Sequence, residues 1–370
     1  MSNKKLWVPS KELIENCQLT KFIKQINDKY RVNIQTYNDC HSWSIENIEY
    51  FWKDFLYFSN IKYSGNIENV VDNLSKFPGA KWFPDIKINY AENLLKFNNT
   101  RIAIESYTED GKKNQLTYND LNQKVSILAS YLKSLKVGPG DRVAAVMPNI
   151  PETIIGMLAT ASLGAIWTSC SPEFGESAIL DRFEQVSPKI LIASDGYTFK
   201  GKYFSIHNKI NNLSKNLSSL KKLILVNFIN KNSTYKIPSA LLEDILSLPL
   251  KKSITYQKMC FNDPLYIMYS SGTTGKPKSI VHSIGGTLIQ HLKELILHVD
   301  LKQNEKIFYF TTCGWMMWNW LVSVLASKAS IVLFDGSPMF KKQDLLLEIV
   351  EKEKITLLGV SAKYIDTLRK

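Results

Sequence analysis

Hydroxyl, glycine and lysine residues are concentrated in one short stretch, residues 269–278, which reads YSSGTTGKPK. Hydroxyl groups donate hydrogen bonds, glycines allow a close backbone approach, and lysines balance negative charge, which are three things that a polyphosphate ligand needs. The apolar run 265–269 directly precedes the stretch, so we expect a loop that follows a strand. An ordinary glycine-rich surface loop is the alternative. The stretch lacks the Walker spacing GxxxxGK[ST].

This loop resembles the phosphate-binding signature of the adenylate-forming superfamily, which includes acyl-CoA synthetases, luciferases and the adenylation domains of peptide synthetases. The resemblance implies that the loop binds the phosphates of ATP. It also implies that Lys276 faces solvent. The residues to which it gives a phosphate-binding role are Ser271, Gly272, Thr273, Thr274, Gly275 and Lys278.

Other motifs narrow the resemblance within that superfamily. Residues 138–152 and 163–172 look like the acetyl-CoA and acetoacetyl-CoA synthetase branch, although their physical role is that of turns and buried packing. The similarity to acetoacetyl-CoA synthetases in particular rests on LWVPS at 6–10, FPGAKWFP at 77–84, NYAENLL at 89–95 and TTCGWMMWNW at 311–320. Taken together, the similar stretches extend from the first residues of the chain to the last.

An acyl pocket is implied at the Gly314-Trp315 position, where related enzymes place an aromatic wall. A helix that begins there would put Trp315, Met316 and Trp318 beside a small acyl group. Aromatic clusters after a strand are core about as often as pocket, so the alternative is plain packing.

A coenzyme A site is implied after the strand that ends near Ala193. The candidates are Lys200, Gly201 and Lys202, at a place where the acetyl-CoA branch typically offers arginines. Lysine can neutralise a nucleotide phosphate but lacks the bidentate fork of arginine. Ordinary surface lysines are the alternative.

The resemblance implies two half-reactions with ATP, Mg²⁺, coenzyme A and acetoacetate as small-molecule reactants. A carboxylate attacks the α-phosphate with loss of pyrophosphate, and the coenzyme A thiol then displaces AMP. The AMP-binding motif, the ribose-binding aspartate, the hinge and the C-terminal lysine are not found in residues 340–370. We therefore expect a truncated chain that is inactive alone and that a downstream polypeptide could complete. An acetyl-CoA or propionyl-CoA synthetase, or a non-catalytic scaffold, remains open.

Composition adds few constraints. The balance of 46 Lys and Arg against 34 Asp and Glu gives a net charge of +12, but the lysines are scattered and no nucleic-acid-binding signature occurs. Five cysteines without a CxxC pair, and no apolar run of signal-peptide length at the N-terminus, favour a cytoplasmic protein. The uncharged stretch 153–170 is better explained as a buried helix running into a buried strand than as a membrane span.

The elements that must position these residues follow an alternating pattern. Residues 1–95 are rich in aromatics and predict a helical N-terminal region, and residues 96–370 predict an incomplete AMP-binding domain. Thr117 with Asp120 predicts a capping box for a following helix, and Pro151 predicts the start of another. Short apolar runs separated by helix-length segments predict an α/β fold with doubly wound, mostly parallel sheets, possibly two side by side.

Overall fold

A computed structural model describes residues 5–229, 234–249, 254–270 and 275–370. Its first helices form the predicted aromatic-rich region, where the rings of Phe22, Phe51 and Phe55 meet edge to face or stacked. The elements of this region are α1 (Lys11–Asn16), α2 (Gln18–Tyr30), α3 (Tyr37–Glu46), α4 (Ile48–Phe58), β1 (Tyr63–Gly65), β2 (Ile86–Ile88) and α5 (Tyr90–Leu94). Buried side chains of these elements belong to the same hydrophobic cluster as those of the following sheets.

Strands and helices alternate over the rest of the chain. The elements up to residue 246 are β3 (Ile102–Thr108), β4 (Lys113–Thr117), α6 (Tyr118–Ser134), β5 (Arg142–Val146), α7 (Pro151–Ser162), β6 (Ile166–Cys170), α8 (Glu176–Phe183), β7 (Ile190–Ser194), β8 (Gly196–Phe199), β9 (Lys202–Ser205), α9 (His207–Asn216), β10 (Lys222–Val226), β11 (Ser239–Leu241) and α10 (Leu242–Leu246). Those that follow are β12 (Met259–Cys260), β13 (Pro264–Ser270), β14 (Lys278–Ser283), α11 (Ile284–Lys293), a π-helical turn (Glu294–His298), β15 (Lys306–Tyr309), α12 (Met316–Ser323), a 3₁₀ turn (Val324–Ser327), β16 (Ser330–Asp335), α13 (Leu345–Glu353), β17 (Leu357–Gly359) and α14 (Ala362–Leu368).

Two large sheets organise the described residues. One has the strand order β11-β10-β7-β5-β6-β13-β14 and is parallel except for the β13–β14 hairpin. The other has the order β17-β15-β16-β3-β4 and is parallel except for the β3–β4 hairpin. The predicted pair of mostly parallel sheets is thus confirmed.

The local signals in the sequence explain how α6 and α7 begin. Thr117 and Asp120 form the predicted capping box, in which the Thr117 hydroxyl accepts from the Asp120 N–H and the Asp120 carboxylate accepts from the Thr117 N–H. Pro151 lies in the first turn of α7, and α7 and β6 are almost completely buried. This confirms a buried helix followed by a buried strand. No helix within the described ranges is long and apolar enough to cross a membrane.

Candidate functional site

The carboxyl ends of the strands in the two sheets meet along one edge, which we call the carboxyl edge. In the first sheet β6 lies on one side of β5, whereas β7 and β10, which come later in the chain, lie on the other side of β5. The crevice beyond β5 and β7 is therefore a topological switch point, where open α/β sheets bind their ligands. The segments that follow β13 and β15 open onto the same edge, because both strands run parallel to their neighbours.

Four of the predicted phosphate-binding residues, Ser271, Gly272, Thr273 and Thr274, lie outside the described residues. What the structure describes is the flank of the loop. Ser270 is paired with Lys278 at the end of the β13–β14 hairpin, so the loop joins these two strands at the carboxyl edge. Gly275 and Lys278 are exposed, and a Cβ atom on Gly275 would meet no atom of the described residues within 4 Å.

Helix α8 and the residues after it hold this flank in place. The Lys276 ammonium lies 3.8 Å from carboxylate oxygens of both Asp181 and Glu184. The Gln185 amide donates to the carbonyl of Pro277 at 2.9 Å and accepts from the hydroxyl of Ser279 at 3.0 Å. Lys276 is therefore directed toward α8 and is 68% exposed, while no ion pair of Lys278 is found in the described part of the chain. This arrangement leaves the Lys278 ammonium available to a ligand.

Helix α12 begins at the residues predicted to form an acyl pocket. Trp315 is the N-cap and is 64% exposed, and Met316 in the first turn is 43% exposed. Trp318 lies elsewhere, because its side chain is fully buried and its indole N–H donates to Oδ1 of Asn149 at 2.9 Å. The structure therefore brings Trp315 and Met316 to the surface and places Trp318 in the core, which favours the packing alternative for that residue.

Asn149 joins the two sheets at the carboxyl edge. Its side-chain amide donates to the carbonyls of Thr311 at 3.1 Å and Phe334 at 3.3 Å, and its backbone N–H donates to Asp335 at 2.9 Å. The side chain is 2% exposed, so each of these bonds is shielded from water. We call Asn149, Cys313, Trp318 and Asp335 the seam.

Titratable groups of the seam have shifted pKa values. Burial is the largest cause for Asp335, whose pKa rises from 3.8 to about 7 although the N–H of Asn149 opposes the shift. Burial also raises the pKa of the Cys313 thiol, which donates to the carbonyl of Met147 at 3.0 Å. Cys313 therefore stays protonated and is no thiolate nucleophile.

Two of the predicted coenzyme A residues, Lys200 and Gly201, form the turn of the β8–β9 hairpin, and the third, Lys202, is the first residue of β9. Lys200 and Gly201 have φ values of 51° and 75°, as the central residues of a tight two-residue hairpin turn require. Their backbone N–H groups donate to the Glu109 carboxylate at 2.9 Å and 2.6 Å, and the N–H of Ser337 also donates to it at 2.6 Å. Glu109 thus occupies the anion-binding face of this turn. The side chains of Lys200 and Lys202 are the groups that remain for a phosphate.

Sequence reasoning missed Glu109 and gave Asn149 no role of its own. Glu109 directly follows a strand and is next to a second acidic residue, Asp110, and its three donors lie 91 to 228 positions away. Asn149 belongs to the stretch 138–152, which resembles the acetyl-CoA and acetoacetyl-CoA synthetase branch, but the partners of its side chain are 162 and 185 positions away. The available signal for both was a polar residue near the carboxyl end of a parallel strand, directly after β3 for Glu109 and three residues after the end of β5 for Asn149.

Comparison with known proteins places the chain in a family. Residues 92–370 match the family model of AMP-binding enzymes, and residues 37–94 match the model of the acetyl-coenzyme A synthetase N-terminus. The chain belongs to the AMP-binding enzyme family. The adenylate-forming fold that was expected from the loop at 269–278 is thereby confirmed.

Relatives of this AMP-binding enzyme are similar over nearly its whole length. The acetoacetyl-coenzyme A synthetase of Rhizobium meliloti (strain 1021) is 41% identical over 99% of this chain, and the acetoacetyl-CoA synthetase of Gallus gallus is 39% identical over 100%. The solved structure of acetoacetyl-CoA synthetase from Streptomyces lividans superposes with a TM-score of 0.94 at 36% identity over 99% of this chain. The chain spans 56% of the length of each of these three proteins.

Proposed function

We propose that the protein carrying these residues ligates acetoacetate to coenzyme A, with ATP as the energy source and an acyl-adenylate as the intermediate. The observation that carries the proposal is the similarity to acetoacetyl-CoA synthetases at 37–41% identity over almost the whole chain. In the first half-reaction a carboxylate oxygen of the acid attacks the α-phosphorus and pyrophosphate leaves. In the second, the coenzyme A sulfur attacks the acyl carbon and AMP leaves.

The loop between β13 and β14 is the proposed phosphate site. Ser271, Thr273 and Thr274 would donate their hydroxyls, Gly272 and Gly275 would admit the phosphates to the backbone, and Lys278 would balance charge. Developing charge on the phosphates is stabilised electrostatically by groups held in advance, which is the main protein contribution to transfer at phosphorus. Lys278 is exposed and forms no ion pair within the described residues, which supports this role, in contrast to Lys276, which faces α8.

Mg²⁺ belongs to this proposal as the companion of the ATP polyphosphate. In the described part of the chain, no group of three His, Cys, Asp or Glu side chains could hold a metal ion. We therefore assign Mg²⁺ to the substrate and give no residue of this chain the role of a resident metal ligand.

The acid and coenzyme A would approach along the carboxyl edge. Trp315 and Met316 stand at its surface as the proposed wall for a short acyl group. Lys200 and Lys202 are proposed to neutralise a coenzyme A phosphate with their side chains, since the backbone N–H groups of Lys200 and Gly201 are already bonded to Glu109.

The division into an N-terminal region (1–95) and an AMP-binding domain (96–370) is also part of the proposal, as is a cytoplasmic location. Five cysteines without a disulfide support a reducing compartment.

The test is thioester formation by the complete gene product that carries these residues. We expect the fastest turnover with acetoacetate in a panel that includes acetate, propionate and butyrate. Faster turnover of acetate or propionate would contradict the substrate assignment and leave the ligase assignment intact. Purified residues 1–370 should show no acetoacetate-dependent ATP–pyrophosphate exchange, because the matched relatives are longer. Exchange by that chain would refute this part of the proposal.

A further inference from the structure

A cavity of about 640 Å³ lies at the end of the five-stranded sheet opposite to the carboxyl edge. Among its lining residues are Gln18, Phe58, Lys62, Lys96, Phe97 and Ser327. Two of the lining residues, Gln303 and Ser327, precede β15 and β16, whereas the seam lies at the opposite, carboxyl ends of these strands. Because β16 has six residues, roughly 20 Å of strand separates the cavity from the seam. The cavity is therefore separate from the site described above.

Two lysines line this cavity, Lys96, which is partly buried, and Lys62, which is exposed. Nζ of Lys96 donates to the carbonyl of Asn60 at 3.2 Å and lies 5.4 Å from the ring centre of Phe97. Burial, and secondarily the charge of Lys62, lower the pKa of Lys96 to about 8. Neither lysine forms an ion pair with a carboxylate in the described ranges. The wall of the cavity thus holds positive charge that the described residues do not neutralise.

Nearby carboxylates are engaged elsewhere. Asp300 accepts from the backbone N–H of Gln18 at 2.6 Å and pairs with Lys302 at 3.0 Å. Glu305 accepts from the backbone N–H of Lys302 at 2.7 Å. A partly buried cation without a counter-charge, such as Lys96, raises the free energy of the folded state to a lesser extent than a buried one, and an anionic ligand would lower it.

The uncharged residues that line the cavity include a hydroxyl group and apolar side chains. The hydroxyl of Ser327 is shielded from solvent and has no hydrogen-bond partner within the described residues. Because water in the cavity does not reach this oxygen, a ligand there bonds to it only after the Ser327 side chain rotates about its Cα–Cβ bond, which would supply the missing hydrogen bond. Phe58, Phe97 and Leu301 add an apolar surface on the same cavity. A complementary ligand combines a charged head with an apolar body.

We propose that this cavity binds an organic anion. Its carboxylate or phosphate head would contact the ammonium groups of Lys62 and Lys96 and the hydroxyl of Ser327. Its apolar body would pack against Phe58 and Phe97. The site is independent of the proposed ligase reaction, because it uses no residue of the carboxyl edge.

Calorimetric titration of residues 1–370 tests the ligand class. Hexanoate and phenyl phosphate represent the two head groups, 1-hexanol lacks the charge, and inorganic phosphate lacks the apolar body. We expect at least one of the two organic anions to bind with a dissociation constant at least tenfold lower than those of 1-hexanol and inorganic phosphate. Which of them binds distinguishes a carboxylate from a phosphate ligand. Equal binding of 1-hexanol would overturn the proposal.

Substitutions locate the binding. Lys96→Met keeps an unbranched side chain but removes the charge, and we expect it to weaken binding of the organic anion at least tenfold. Lys96→Arg should stay within threefold of the parent, and Lys133→Met on the exposed face of α6 within twofold. Should Lys96→Met fail to melt cooperatively, Ser327→Ala takes its place with an expected loss of at least threefold. Unchanged affinity in a folded Lys96→Met protein, or a tenfold loss with Lys278→Ala instead, would show that the anion binds elsewhere.

Discussion

The seam and the flank of the phosphate loop lie on the same edge of the molecule but are built in opposite ways. Asn149 and Trp318 are buried and bonded to each other and, through Asn149, to both sheets. Gly275, Lys276 and Lys278 are exposed. The flank is held by the ion pairs of Lys276 at 3.8 Å and by the surface hydrogen bonds of Pro277 and Ser279 with Gln185. Buried bonds that lose a partner are costly, whereas exposed ion pairs contribute little. We therefore expect substitutions in the seam to lower the stability of the fold and substitutions in the flank to affect activity.

The largest effect is expected at Asn149. Asn149→Ala leaves the indole N–H of Trp318 and the carbonyls of Thr311 and Phe334 without their partner, so we expect the free energy of unfolding to fall by about 3 kcal/mol. Urea denaturation of residues 1–370 measures this. Asn216→Ala, on the exposed face of α9, is the matched control and should change the free energy by less than about 0.5 kcal/mol.

A double-mutant cycle sharpens the same comparison. Trp318→Phe removes the indole N–H, so the loss of Asn149 should cost less in that background than in the parent protein. Full additivity of the two substitutions would mean that the bond from Trp318 to Asn149 does not help to hold the sheets together.

A smaller effect is expected at Glu109, which bonds the β8–β9 turn to the end of β16. Glu109→Gln replaces one carboxylate oxygen with an amide NH₂ group that faces a backbone donor. We expect the free energy of unfolding to fall by about 2 kcal/mol. Amide hydrogen exchange should become faster at Lys200, Gly201 and Ser337. The exposed carboxylate of Glu184 is the control, since Glu184→Gln should leave both stability and exchange at these amides unchanged.

The contribution of Asp335 depends on pH. Its pKa is about 7 in the folded protein against an ordinary value of 3.8, so between these values the folded state holds a proton that the unfolded state releases. Stability from this group is complete below pH 4 and is lost as the pH rises toward 7. The free energy of unfolding of Asp335→Asn should therefore rise by about 1–2 kcal/mol relative to that of the parent as the pH increases from about 5 to about 6.5. Parallel pH profiles of the two proteins would contradict the shift.

The fold could be predicted from the sequence because its signals are local. The short apolar runs, such as 265–269 in β13, the capping box at Thr117 and the proline at the start of α7 each depend on neighbouring residues. The β4 and β14 edge strands were not predicted, since their residues are largely exposed and carry no apolar run. The roles of Asn149 and Glu109 were not predicted for a different reason. Their hydrogen-bond partners become neighbours only when distant segments of the chain fold together. The phosphate-site, acyl-pocket and coenzyme A assignments stay predictions.

The smallest change in stability is expected for the two lysines of the flank, and they differ in what they should do to activity. Lys276 and Lys278 are both exposed, so Lys276→Met and Lys278→Ala should each change the free energy of unfolding by less than about 0.5 kcal/mol. Lys276 faces Asp181 and Glu184, and its ion pairs explain its position without a ligand. Lys278 has no such partner in the described residues.

In the complete gene product, Lys278→Ala should therefore lower acetoacetate-dependent ATP–pyrophosphate exchange at least tenfold, while Lys276→Met should change it less than twofold. Because an ammonium group acts on the phosphates by its charge, Lys278→Arg should recover part of the lost exchange, and higher ATP concentration should recover part of the rest if ground-state binding is affected. Equal losses in both variants would mean that the flank acts as one structural unit. A loss of exchange in Lys276→Met alone would show that Lys276, and not Lys278, contacts the phosphates. A drop in melting temperature with unchanged exchange in Lys278→Ala would make the flank structural, and the contrast between the seam and the flank would disappear.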